Sequence, residues 1–451
     1  MKYALSEHIT FPRLFRVVLP SILMMVSISV YSVVDGAFIS NVAGPTPFAA
    51  VNLIFPLIML LASLGFMMGS GGAALVAKRL GEGKPEEANR AFSNCVFFSI
   101  LLGVVTSVAV YFALPYLAVA MQADEKMLPY CIEYGRIMVL GVTFFNLQNL
   151  FQSFFTAAER PQLGFYITLT AGVVNIVLDA VLIVACDLGV LGAAIGTVAG
   201  QAVGAIIPII YFVRKNGSPL RLKWARFVWK DIGRMAGNGI SEFVNNISAS
   251  AVSIALNAQL MAIFGEDGVG AYGIICYVWM IFAATFIGTS IAIGPRISYA
   301  LGAGNKTELT SLYRKSVVVL LIFGAAMFAL AEALAIPLAM AYAGNTPSLY
   351  EITVRASRIY SIIYLFLGVN MFGSSFFTAL NNGLVSMLLS LVRLAGLELA
   401  FVSVFPLIFG GESIWYAVPA ANFFGLGMNL VVMQLFSRRY GYNAKEVPLF
   451  R

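Results

Sequence analysis

Apolar residues run in long blocks along this chain, with polar and charged residues gathered between them. Twelve blocks approach or exceed the roughly 20 residues a helix needs to cross a bilayer. They fall at residues 17–39, 48–77, 92–118, 130–157, 164–186 and 189–213, then at 235–264, 269–300, 316–341, 352–380, 384–409 and 413–437. Several exceed that minimum, which predicts tilted helices or helices that continue past the hydrocarbon core. The first block follows Lys2, Arg13 and Arg16, as the core of a signal peptide would. It is too long for one and contains Asp35, and no small-residue cleavage pattern follows a short apolar run. A retained first span is therefore expected.

The two sets of six resemble each other. After the second block the chain reads Leu80-Gly81-Glu82-Gly83, and after the eighth Leu301-Gly302-Ala303-Gly304. The fourth ends in Ser153-Phe154-Phe155-Thr156-Ala157 and the tenth in Ser375-Phe376-Phe377-Thr378-Ala379. Gly302 lies 221 residues after Gly81, and Ser375 lies 222 after Ser153. Two matches at nearly one offset, both at equivalent block ends, mark an internal duplication. Six spans is an even number, so both halves enter the membrane the same way round, related by an axis along its normal with a cavity between them. The expected fold is an all-α integral membrane protein of twelve transmembrane helices in two six-helix lobes related by a pseudo-two-fold axis. The lobes are residues 1–213 and 235–437, with a basic linker at 214–234 and a tail at 438–451.

Charge orients this arrangement. With both termini inside, 23 of the 28 basic residues fall in cytoplasmic pieces, seven of them between Arg214 and Arg234. That bias is the positive-inside signature, and it makes the net charge of +7 a topology signal rather than a nucleic-acid patch. Within the linker, Leu222 to Lys230 carries Trp224 and Trp229 among basic residues. It reads as an amphipathic helix lying on the inner surface, with a plain basic connection as the alternative.

Composition agrees with a bilayer setting. Apolar residues make up 60% of the 451 and charged residues 11%, against about 45–50% and about 25% in soluble domains. Enzyme readings lose their materials. His8 is the only histidine and lies in the N-terminal segment, the four cysteines are scattered through separate apolar stretches, and no phosphate-binding GxxxxGK[ST] loop is present. A cofactor or bound metal is not expected.

Ionisable residues within spans each need a reason, since a charge at mid-bilayer costs about 2.5–3.5 kcal/mol on insertion scales. Asp35 sits deep in the first span and Asp179 in the fifth, with Asn175 four residues before Asp179 on one helical face. With a second carboxylate from another helix, that amide and carboxylate form a holder for a proton or a sodium ion. A solvated Asp179 at the outer end of its span is the alternative. Glu242 opens the seventh span, as a capping residue or as a wall residue. Arg393 and Glu398 share the eleventh, and five apart they do not stack well on an α-helix. Prolines at 20, 56, 115, 208, 337, 406 and 419 predict kinks.

Taken together, Leu19-Pro20, Val34-Asp35-Gly36, Gly69-Ser70-Gly71-Gly72-Ala73-Ala74 ahead of Leu80-Gly81-Glu82-Gly83, Asn175 with Leu178-Asp179, and Gly192-Ala193-Ala194-Ile195-Gly196-Thr197 give the chain the pattern of a known family. It resembles the multidrug and toxic compound extrusion family, in particular its MepA-like branch, over essentially its whole length. The resemblance implies a V-shaped pair of lobes in the cell's inner (plasma) membrane, surrounded by lipid and working by alternating access. It implies export of organic, often cationic, drugs or toxins in exchange for H+ or Na+, with a monomer as the working unit. It also implies an ion site of Asp35, Asn175, Asp179 and Thr197 with the backbone carbonyl of Ala193. One subgroup carries acidic residues deeper in spans seven and ten; here Asn246 to Ser250 has none, which shifts the weight to Asp35 and Asp179. A flippase for lipid-linked precursors, of the same superfamily, is the second transporter reading.

Overall fold

The computed structural model describes residues 4–39, 44–344 and 346–442. Lys2, Lys445, Arg451 and the tail from 443 onward lie outside the described residues. The fold is a bundle of twelve crossings. The first lobe holds α1 (Phe11–Phe38), α2 (Pro45–Gly81), α3 (Pro85–Ala120), α4 (Leu128–Ala157), α5 (Pro161–Ala185) and α6 (Gly189–Val213). The second holds α7 (229–264), α8 (266–302), α9 (Lys306–Ala343), α10 (347–379), α11 (Gly383–Phe409) and α12 (Ile414–Tyr440). Among the described residues, nine helices are long and apolar enough to cross a membrane, or ten with the bent pair that makes up α10 taken as one span. One of the nine, Trp229–Gly302, is two crossings broken at Gly265. The 30-residue α4 is long enough too, but the buried amides Asn146, Gln148, Asn149 and Gln152 dilute its hydropathy.

Local sequence sets the helix ends. Proline opens α2, α3, α5 and α10, where a missing N–H leaves nothing unsatisfied, and the Asn305 side chain caps α9 by accepting from the Glu308 N–H at 2.9 Å. Gly265 joins α7 to α8 at φ 64° and ψ −149°, a conformation essentially reserved for glycine. The duplication reappears in backbone geometry. Gly83 and Gly304 share a left-handed φ (74° and 67°), as do Glu159 and Asn381 (60° and 57°). At all four the N–H of the following residue reaches back to a carbonyl in the last helical turn, so each chain reversal is built twice.

The exterior is apolar, with Phe112, Tyr116 and Leu407 more than 70% exposed, as a lipid-facing surface requires. Buried cores lie inside each lobe. One end of the bundle, here called the basic end, carries Arg13, Lys78, Arg79, Arg160, Arg296 and Lys306, and there the lobes meet. A Cβ on Gly81 of α2 would stand 2.2 Å from the carbonyl oxygen of Tyr299 on α8, and one on Gly302 of α8 would stand 2.0 Å from that of Lys78 on α2. These contacts exchange partners across the pseudo-two-fold axis, since Lys78 and Tyr299 are also 221 residues apart. Farther along, Gly71 and Gly239 bring α2 and α7 into backbone contact, and Gly288 of α8 lies against Ser21 and Ile22 of α1. Ile9, Leu14, Val17 and Val18 accordingly pack into the core of the second lobe.

Two expectations change, the linker helix and the start of α7. Residues 214–228 form no helix. The segment is interrupted by Gly217 and Pro219, and its N–H groups are taken elsewhere: Arg221 by Asn89 Oδ1, Leu222 by the Phe212 carbonyl and Lys223 by Ser93 Oγ. Competing partners on α3 and α6 thus replace helical ones, and α7 starts at Trp229, six residues before the expected 235. A bend of 50° falls in α10 between Ser361 and Tyr364, where there is no proline. There the N–H groups of Ile362 and Ile363 bond three residues back, and the Ser361 hydroxyl lies near the Arg358 carbonyl and Glu332 Oε1, both at 2.7 Å. The seven prolines lie inside helices, and none of them makes this bend.

Candidate functional site

Two polar centres stand apart. The first lies in the first lobe, between the ends of α1, α5 and α6 away from the basic end. Asp35 occupies the last turn of α1, half-buried, with Oδ1 sealed from solvent. Asp179 is fully buried, with neither carboxylate oxygen hydrogen-bonded among the described residues. The Asp35 carboxyl and the Asn175 amide are its polar neighbours. The Asn175 amide also donates to Thr197 Oγ1 at 3.4 Å, and its own Oδ1 is buried with no partner among the described residues. Gly196 seats the group: a Cβ there would lie 2.3 Å from Asp179 Oδ1, so the carboxylate rests directly on the backbone of α6. Asp35, Asn175, Asp179 and Thr197 therefore come together, and full burial removes the solvated alternative for Asp179. Ala193 is buried one turn before Thr197 in the neighbouring apolar cluster.

Beyond Asp179, α5 widens into a π-helix over Ala180–Ala185. Such a turn is frequent at functional sites because it re-aims side chains without ending the helix. Three residues missed in the sequence join this centre. Tyr31 lies one turn before Asp35 with its ring over Gly172 and Gln148 beside its hydroxyl, and Tyr134 is buried in the adjoining apolar cluster. An aromatic in an apolar helix gives no sequence signal of such a role. The centre presents buried, unpaired oxygens, and a buried carboxylate without a partner needs a proton or a cation.

The second centre is a cavity of about 500 Å³ between the lobes. Ser70 and Ala74 of α2 line it with Pro295 of α8, and it is bounded chiefly by the second lobe. Glu242, Arg393 and Glu398 all line it; Asp35 and Asp179 do not. Glu242 lies thirteen residues inside α7, half-buried, so the capping reading is overturned; Asp231 holds the first turn instead. Arg393 and Glu398 are both buried and are in contact, Nη1 to Oε1 at 3.4 Å. On an α-helix residues five apart diverge by about 140°. Val392–Glu398 is a π-helix, whose wider turn brings that spacing round to one side. Glu398 also accepts from Asn422 Nδ2 at 2.9 Å, and Asn422 is tied to Asn370 and, through it, to Asn429. Aromatic rings add to the wall, Tyr272 and Tyr360 meeting edge to face with centroids 6.4 Å apart.

Two ties hold the lobes together at the basic end. Arg79 of α2 grips Asp231 of α7 bidentately, at 2.9 and 2.6 Å, both residues buried. The N-terminal segment, residues 4–10, runs across the seam. The Leu5 N–H donates to Glu159 Oε1 of the first lobe at 2.8 Å, and the Ile9 N–H to Glu308 Oε1 of the second at 2.9 Å. Glu308 Oε2 meets His8 Nδ1 at 2.5 Å, and Lys315 Nζ donates to the Ile9 carbonyl at 2.7 Å.

Twelve membrane-spanning helices in two like halves, joined at one end around a cavity lined by charged groups, define a membrane transporter. Residues 20–181 and 243–404 each match the MatE family model, with starts at 20 and 243, 223 residues apart and so close to the internal repeat. The chain belongs to the MatE family, whose members are transporters and not enzymes. It is similar to the multidrug export protein MepA of Staphylococcus saprophyticus, 26% identical over 271 residues and 60% of each chain. The MepA of Staphylococcus haemolyticus is 25% identical over 324 residues, 71% of each chain. A crystal structure of a MATE protein in complex with MaL6 superposes with a TM-score of 0.91 over 96% of this chain and 98% of that one, at 20% identity, and so shares its fold.

Proposed function

We propose that this protein is a secondary multidrug exporter that moves organic, chiefly cationic, compounds out of the cell in exchange for H+ or Na+ by alternating access. The observation that carries the reading is the separation of the two centres. Unpaired aspartate oxygens lie buried in the first lobe, while the substrate-sized cavity lies between the lobes and against the second. A coupled exporter needs two sites whose occupancies prefer different conformations, and α1 links them here. Asp35 stands in its last turn, while its opposite half packs into the second lobe. Binding an ion between Asp35 and Asp179 fixes the far end of α1 against α5 and α6, and so bears on the seam that Ser21 and Ile22 form with Gly288.

Asn175, Thr197 and the carbonyl of Ala193 complete the ion holder in this reading, with Glu242, Arg393 and Glu398 meeting the substrate. The bias of basic residues supports a plasma-membrane protein with both termini cytoplasmic, so the conformation described is closed toward the cytoplasm. It works as a monomer surrounded by lipid, takes small-molecule drugs or toxins, and has no nucleic-acid partner. The names of the Staphylococcus relatives favour drug export over the flippase reading. Ethidium efflux from cells expressing the chain tests the proposal, with proton and sodium gradients collapsed in turn. Efflux should stop with one of the two; efflux indifferent to both would refute ion coupling.

A further inference from the structure

Arg393 is the one basic residue among those lining the cavity, and it is held differently from the buried arginine at the seam. Arg79 grips its carboxylate with two short bonds. Arg393 touches Glu398 through a single 3.4 Å contact, at the long limit for a hydrogen bond. Glu398 is the fixed partner. Its Oε1 takes a shorter bond from Asn422, which the Asn370–Asn429 chain holds in turn. The arginine rests on its stem, where a Cβ on Gly425 would meet its Cγ at 3.2 Å. Tyr272 and Tyr360 line the same cavity as the carboxylate. A carboxylate and aromatic rings in one cavity suit a flat organic cation, and Arg393 already holds the carboxylate.

We propose that Arg393 is a tethered competitor, the cavity's own cation, which a cationic substrate must displace from Glu398. The pair then sets how tightly a cation must bind before it is accepted, and a neutral compound passes without that contest. The inference rests on the cavity being the substrate site for organic cations. Without Arg393, Glu398 keeps only a neutral amide partner, and a buried carboxylate left so needs a proton or a cation, a need that an organic cation meets. Without Glu398, an incoming cation finds only the like charge of the arginine.

The test is equilibrium binding to purified protein in nanodiscs with no ion gradient, using ethidium and the uncharged dye Nile red. Arg393→Gln should bind ethidium about tenfold tighter than wild type and Glu398→Gln about tenfold weaker, with the double variant, which has neither the carboxylate nor the like charge, between the two. Nile red affinity should stay within about twofold throughout. Arg393→Met, which keeps the stem packed on Gly425, serves if the glutamine variant does not fold. Unchanged or weaker ethidium binding on loss of Arg393 overturns the proposal, as do equal changes for both dyes, which would mean altered shape alone. The exporter reading fails separately: this binding pattern without ion-driven efflux refutes export and leaves the competitor standing. Wild-type protein that binds no ethidium sinks both.

Discussion

Replacing Asp231 with asparagine should tilt the protein toward its other conformation. Arg79 and Asp231 are 7% and 3% exposed and join α2 to α7 across the basic end. Removing one partner of a buried ion pair costs about 3–5 kcal/mol, because the other is left charged with poor compensation, here the part-exposed Glu87 carboxylate 3.7 Å from Arg79 Nε. That penalty belongs to the closed seam alone, since parting the lobes returns Arg79 to water. At 1.4 kcal/mol per decade the closed-to-open ratio falls by about two to three and a half orders of magnitude. A protein closed at about 99% would then spend most of its time open at the basic end. The assay is spin-label distance measurement between Tyr116→Cys on α3 and Leu407→Cys on α11, exposed sites on opposite lobes near the end away from the seam, with the four native cysteines replaced. The distribution should shift to shorter distances in Asp231→Asn and return part of the way in Arg79→Gln/Asp231→Asn, where no charge is stranded. An unchanged distribution in the single variant would refute the claim that this pair holds the seam.

The seam's symmetry yields a second expectation. Gly81→Ala and Gly302→Ala each push a Cβ to about 2 Å from a carbonyl oxygen of the other lobe, so they should lower thermal stability by similar amounts, each about 1–3 kcal/mol; a large difference would contradict the reciprocal packing. The N-terminal segment yields a third. Glu308→Ala removes the acceptors for the Ile9 N–H and for His8, worth about 1.5–3 kcal/mol for each charged bond, so hydrogen exchange at the Ile9 amide should accelerate, and unaltered protection there would count against the segment as a tie.

Much of the fold could be read from the chain because the bilayer imposes a coarse, repeated requirement. Block length placed the crossings, and the duplicated Leu-Gly-x-Gly and Ser-Phe-Phe-Thr-Ala segments fall at the turns where Gly83, Gly304, Glu159 and Asn381 reverse the chain. The first-lobe centre was visible as Asn175 and Asp179 one turn apart with Asp35 on another helix. What stayed hidden depended on helical register and on competing partners. Glu242 looked like a cap because the basic residues of the first turns of α7 read as linker. Arg393 and Glu398 looked unmatched because five residues is a poor spacing until a π-turn intervenes, and residue pattern alone does not announce such a turn. The bend in α10 follows from bonds made by Ser361, where proline gave no warning. The linker lost its helix to Asn89 and Ser93, partners far away in sequence.

The central claim is that the buried aspartates of the first lobe couple an ion to export. Drug transport by vesicles holding Asp35→Asn or Asp179→Asn, driven by an imposed proton or sodium gradient, tests it most directly, with ethidium binding measured beside it. The account predicts that gradient-driven transport is lost in both variants while ethidium still binds, since neither residue lines the cavity. Full-rate, gradient-driven transport by either variant would contradict it.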